Sequence, residues 1–166
     1  GISISMTVRE VCLLGFNPQL HMLESYNSNM RHRADKAIDS VGLAGLYDTD
    51  FLTLSEGQKQ LCILARTLIE DSALLLLDEP FSALDYQTRL QVSEDVRDII
   101  KTEQKTAILV THDISEAISM ADTVFLLPKI PGYVKKVIPI EFEKQGIAHE
   151  SIRQSKLFQE YFDLIW

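Results

Sequence analysis

The apolar positions along the chain change their spacing near residue 70. Before that point they recur with helical period. Over 7–16, Val8, Val11, Cys12 and Leu14 share one side of a helix. Thr7 and Glu10 have the capping-box spacing, in which side chain and backbone satisfy each other's orphan donors. Residues 17–29 are polar, with Pro18 near the start, and read as loop. A second helix is expected over 30–41, stopped by Gly42, with 43–54 irregular. A third spans 56–69, with Leu61, Leu64, Ala65 and Leu68 on one face. Beyond it the apolar residues come in blocks. The runs at 73–77 and 106–110 are continuous, as expected of strands buried on both faces of a parallel sheet. Residues 123–127 form a third strand, and 133–142 alternate loosely, like an antiparallel strand near an edge. Helices are expected over 86–102, over 114–121 with Asp113 and Glu116 in capping positions, and over 151–166. Strands alternating with helices mean an α/β layer with a mainly parallel sheet.

Composition narrows the picture. With 166 residues, 46% hydrophobic and 24% charged, the chain reads as one domain, or most of one, with a real core. A net charge of −8 argues against a nucleic-acid backbone as partner, which needs a basic face. No apolar run approaches the ~20 residues that span a bilayer. The opening residues lack the basic region and apolar segment of a signal peptide. These features lead to the expectation of a soluble, cytoplasmic protein. Cys12 and Cys62 form no C-x-x-C pair, and Cys62 reads as a buried thiol on the apolar side of its helix.

The polar clusters at element ends carry the candidate chemistry. Ser55, Glu56, Gly57 and Gln58 open the third helix. Ser55 and Gln58 have capping-box spacing. The same tip, with its outward amides and dipole, is also an anion site, and both readings stay open. Asp78 and Glu79 follow the first apolar strand. In an open parallel sheet ligands bind beyond the carboxyl ends of strands. One carboxylate there suits Mg²⁺, and a second orients or deprotonates a water. The plainer alternative is a polar strand exit. His112 follows the second apolar strand at the same edge, where a neutral ring has an N–H to offer a phosphate oxygen; the alternative is a structural histidine. Asp85 precedes a helix and suits its N-cap.

Taken in order, "LSEGQ", "LLLLDEP", "SALD" and "THD" resemble the ATP-binding cassette (ABC) ATPases over nearly the whole chain. The resemblance implies a partial P-loop NTPase (RecA-like) core with a mainly parallel sheet plus the ABC helical subdomain. It places the helical subdomain in 1–72, the C-terminal part of the ATPase core in 73–150 and a C-terminal helix in 151–166. By it, Ser55, Gly57 and Gln58 match the signature loop, Asp78 the Walker B aspartate that positions Mg²⁺, and Glu79 the glutamate that polarises the attacking water. Asp85 matches the D-loop aspartate and His112 the switch histidine facing the γ-phosphate. The family implies ATP and Mg²⁺, a second ATPase subunit meeting the first head to tail, and transmembrane permease subunits. It implies a cytoplasmic location, peripheral on the inner face of the membrane. The region of Val11, Cys12, Leu13 and 17–29 corresponds to the family's docking site for the membrane subunit; the alternative is ordinary core and loop.

Two departures from the family pattern change the expectation. Glu56 stands where the family usually has glycine. A carboxylate there repels a triphosphate unless it points away or is neutralised, so ATP-driven closure is expected to be weakened or slowed. No G-x-x-x-x-G-K-[ST] occurs, and none of the seven glycines is followed by lysine. The chain therefore looks like the C-terminal portion of an ABC ATPase beginning just after the Q-loop, inactive by itself, with strand edges left unpaired. Its front, "TVREVCLLGFNPQL", resembles iron–siderophore and cobalamin importers, and its back the nitrate, sulfonate and taurine group. The competing readings are a soluble ABC ATPase without a transport role and a non-catalytic cassette fragment that binds a partner cassette.

Overall fold

A computed structural model describes residues 5–19, 25–70, 72–129, 132–142 and 149–166. Contacts divide the chain into two units, Gly1–Ile108 and Leu109–Trp166.

The first unit is a helical cluster with a small sheet. Helix α1, Val8–Leu13, starts with the expected capping box: Glu10 N donates to Thr7 Oγ1 at 3.2 Å, and Thr7 N to Glu10 Oε2 at 2.7 Å. The helix is shorter than its apolar pattern because Leu14–Gln19 tightens into a 3₁₀ turn. That turn lies close against α3, Glu56–Ile69; a methyl group on Gly15 would stand 2.4 Å from the Arg66 carbonyl oxygen. Helix α2, Ser28–Ser40, begins two residues earlier than its pattern suggested, because Asn27 caps it by accepting from Met30 N at 2.9 Å. It stops as expected near Gly42, whose φ of +76° favours a residue without Cβ. The part of the expected loop at 20–24 lies outside the described residues.

Helices α1, α2 and α3 pack on one another around Val8, Cys12, Leu13, Phe16, Ile38 and Cys62. Val11, Cys12 and Leu13 are all buried here, as the core reading of these three residues expects. The Arg33 guanidinium sits 4.9 Å from the centre of the Phe16 ring. Arg9 ties α1 to α2 through Asp35 at 2.7 Å and pairs also with Asp48. The two thiols meet at 3.9 Å without a disulfide; the Cys62 contact, then burial, holds the Cys12 thiol well above its ordinary range. Helix α4, Tyr86–Thr102, packs on α3.

Strands β1, Leu74–Asp78, and β2, Thr106–Val110, form a parallel pair, entered through a bond from Thr106 N to Ala73 O at 3.0 Å. The expectation that both are buried on two faces is not met. Leu75 is fully buried, but Leu74 and Leu76 are 50% and 66% exposed, and Ile108 and Val110 are about as open. A strand alternates its side chains between faces, so an unbroken leucine run cannot say which face is covered.

The second unit holds α5, Ile114–Met120, the antiparallel pair β3, Thr123–Leu126, and β4, Lys136–Pro139, and α6, Lys156–Ile165. Val124 stands opposite Ile138, and both join Ile118, Phe142, Ile152 and Ile165 in one core. The Tyr161 ring meets Phe142 edge-on at 5.4 Å, and its hydroxyl accepts from Glu141 N at 3.1 Å. The last helix differs from its expected span: His149–Gln154 is a 3₁₀ turn, and Ser155 restarts the chain as N-cap of α6 by accepting from Phe158 N at 3.1 Å. A serine whose side chain bonds a nearby backbone amide favours a cap over a helix interior.

Candidate functional site

Ser55 sits in extended conformation ahead of α3. Its Oγ accepts from Gln58 N at 3.2 Å, and Gln58 Oε1 accepts from Ser55 N at 3.0 Å. The capping box expected from the spacing is therefore formed. Lys59 N begins the helical ladder by donating to Ser55 O at 2.9 Å. A helix leaves its first amides without internal partners. Here the cap serves Gln58, which leaves the Glu56 and Gly57 amides as the first-turn donors to which it gives no acceptor.

Gly57 has a second reason to be glycine, one that sequence reading missed. It is buried against α4, and a methyl group on it would stand 3.0 Å from Val92 Cγ2 and 3.1 Å from Thr88 Cγ2. Nothing in the local sequence signals this, because the contact lies some thirty positions along the chain. The Glu56 carboxylate pairs with Lys59 Nζ at 2.6 Å.

Asp78 is the exposed last residue of β1. Glu79 follows with φ of +46°, a region few non-glycine residues occupy. Strain of this kind collects at functional positions, where the surrounding structure holds it in place. Here Ser82 holds it twice: its N–H and its Oγ both donate to the Glu79 carbonyl, at 3.2 and 2.9 Å. Buried Phe81 and Leu84 anchor the same turn. The turn ends at Asp85, the N-cap of α4, whose Oδ1 accepts from Gln87 N and Thr88 N, each at 3.1 Å. Bonds from the Thr88 hydroxyl and amide hold the Asp85 carboxyl below the usual range. Its capping contribution is thus complete above the ordinary carboxylate pKa and is lost as pH falls through the lowered one. Thr88 also touches Gly57, so the Asp85 cap and the α3 tip are joined through one residue.

His112 lies in the second unit, exposed, between Thr111 and Asp113. Asp113 caps α5, accepting from Ser115 N at 2.8 Å and Glu116 N at 3.2 Å. Thr111 Oγ1 accepts from Asp113 N at 3.0 Å and donates to the buried Glu116 carboxylate at 2.7 Å. The backbone is thereby pinned on both sides of the imidazole. Sequence spacing indicated the caps but not the Thr111–Glu116 bond. The first unit brings together Ser55, Gly57 and Gln58 at one helix tip, and Asp78, Glu79 and Asp85 along one turn. Among the described residues, no group of three or more His, Cys, Asp or Glu converges as a metal cage.

The family profile described as "ABC transporter" matches residues 2–82. The uncharacterized ABC transporter ATP-binding protein YtlC of Bacillus subtilis is 49% identical over 113 residues, 68% of this chain and 44% of that protein. The taurine import ATP-binding protein TauB of Escherichia coli is 40% identical over 123 residues, 74% of this chain and 48% of its own. In structure the chain is similar to cbiO1 from Clostridium perfringens, described as part of the ABC transporter complex cbiONQ. The match has a TM-score of 0.70 at 27% identity and covers 93% of this chain and 58% of that one. The chain spans about half the length of the curated relatives it matches. In sequence and in fold, the chain is similar to the ABC ATPases.

Proposed function

We propose that the chain forms part of the ATP-hydrolysing subunit of an ABC importer and couples ATP-driven closure of a cassette dimer to transport. The observation that carries this reading is the placement of the motifs in a chain similar to this family. Ser55 and Gly57 occupy a helix tip, Asp78 and Glu79 the carboxyl end of a strand, and Asp85 the cap that follows. In this reading the α3 tip meets a terminal phosphate held by a partner cassette. The amides of Glu56 and Gly57 and the Ser55 hydroxyl donate to it. Each bond to a charged acceptor contributes about 1.5–3 kcal/mol.

Asp78 suits Mg²⁺, which binds through one or two carboxylates plus phosphate oxygens and waters rather than an all-protein cage. Bound there, Mg²⁺ supplies positive charge against the phosphates. Glu79, held by Ser82, takes the role of orienting the attacking water and accepting its proton. His112 is assigned to donate an N–H to the terminal phosphate of the nucleotide in its own cassette, not to the partner-held one at the α3 tip. Asp85 serves first as the α4 cap and through Thr88 supports the α3 tip.

The 166 residues contain no G-x-x-x-x-G-K-[ST], so by themselves they are expected to bind ATP weakly and turn it over negligibly. A permease pair supplies the membrane path, and the subunit sits on its cytoplasmic side. No helix among the described residues is long and apolar enough to cross a membrane.

The test is association with an intact relative that carries its own phosphate-binding loop and a Glu→Gln change at its catalytic glutamate, so that ATP persists. Sedimentation of the mixture is expected to show binding at least about tenfold tighter with ATP than with ADP, the factor given by ~1.4 kcal/mol. Equal binding in both nucleotides contradicts the reading.

A further inference from the structure

Glu56 puts a carboxylate on the first turn of α3, where the reading above brings in an anion. Side chains on a helix lean toward its N-terminus, and the positive end of the dipole attracts a carboxylate. Left alone, Glu56 would turn toward the amides that the phosphate needs. In the structure it does not stand alone. Its Oε1 lies 2.6 Å from Lys59 Nζ, and the lysine side chain is only 21% exposed, against 54% for the glutamate. The lysine stem is packed, so its ammonium is held beside the helix rather than sweeping through solvent. Lys59 stands one turn further from the tip, so the pair draws the carboxylate back along the helix.

We propose that Lys59 is a positioning residue for phosphate recognition at this tip. It cancels the charge of Glu56 and holds its carboxylate off the Glu56 and Gly57 amides, so a signature turn with an acid in place of glycine still receives a polyphosphate. The inference rests on the function proposed above. It also revises the expectation drawn from Glu56 by itself, because the repulsion predicted for a lone carboxylate is offset by its partner.

A double-substitution cycle in the 166-residue chain tests it, read as ATP-dependent association with the intact relative. Lys59→Met keeps the packed stem and removes the charge. It is expected to weaken association about three- to tenfold at low salt, the scale of one exposed like-charge contact, with the loss shrinking as salt rises. Adding Glu56→Gln to Lys59→Met is expected to restore association to within about twofold of the parent, because neither charge then remains. An unchanged Lys59→Met chain overturns the proposal. So does a weakened chain that Glu56→Gln fails to rescue, since Lys59 would then act on the phosphate or on packing directly. If Lys59→Met does not fold, Lys59→Gln takes its place in the same cycle. A parent chain that itself shows no ATP dependence identifies failure of the underlying reading and takes this inference with it.

Discussion

Phe16→Ala is expected to destabilise the first unit by about 3–5 kcal/mol, the range for emptying a fully buried aromatic site. Phe16 is wholly buried in the 3₁₀ turn after α1. Arg33, on α2, stacks over its ring and donates from Nη2 to the Ile69 carbonyl at the end of α3, at 3.3 Å. Removing the ring therefore opens a cavity where three helices meet and leaves the guanidinium without its platform. The site collapses poorly, because Gly15 already brings the turn into backbone contact with α3. Gly15→Ala is the companion change. Its methyl group would meet the Arg66 carbonyl oxygen, a backbone atom that cannot swing aside, at a cost of roughly 1–3 kcal/mol or more. Amide exchange of α1 and α3 under mild denaturant measures both changes unit by unit. Protection factors in Phe16→Ala within tenfold of the parent's contradict the packing account.

The second large effect separates the two roles of Ser55. Ser55→Ala removes the cap, worth about 1 kcal/mol to α3, and also the hydroxyl assigned to the phosphate, worth about 1.5–3 kcal/mol. Association with an ATP-loaded relative is expected to fall roughly ten- to a hundredfold. Ser55→Asp caps a helix about as well as serine and gains from the dipole, so the fold is expected to persist. Its charge, however, faces the incoming phosphate. It is therefore expected to abolish ATP-dependent association while leaving the melting of α3 unchanged. A capping role alone predicts the reverse order, with aspartate harmless and alanine the worse of the two.

Much of this site was legible because caps are local. Thr7 with Glu10, Ser55 with Gln58, and Asp85 and Asp113 before their helices each announce a satisfied donor within three residues, and each cap forms. The bounds 56–69 and 86–102 follow from the same signals. What could not be read depends on partners distant in sequence. The run at 73–77 looks the same whether one face or two are covered, yet Leu74 and Leu76 stand open. The packing of Gly57 on Thr88 and Val92, the meeting of Cys12 with Cys62, and the left-handed backbone at Glu79 leave no periodic trace. Between these extremes lies Glu56 with Lys59. The spacing of three was visible, but only the packed lysine stem shows that the pair is made.

The central claim is that the tip of α3 receives a phosphate held by another cassette. Hydrogen exchange of the 166-residue chain mixed with the intact relative tests it most directly. ATP, but not ADP, is expected to slow exchange at the Glu56 and Gly57 amides, and Ser55→Asp to erase that difference. Exchange at these two amides that is indifferent to ATP, while protection arises elsewhere in the chain, would contradict the account.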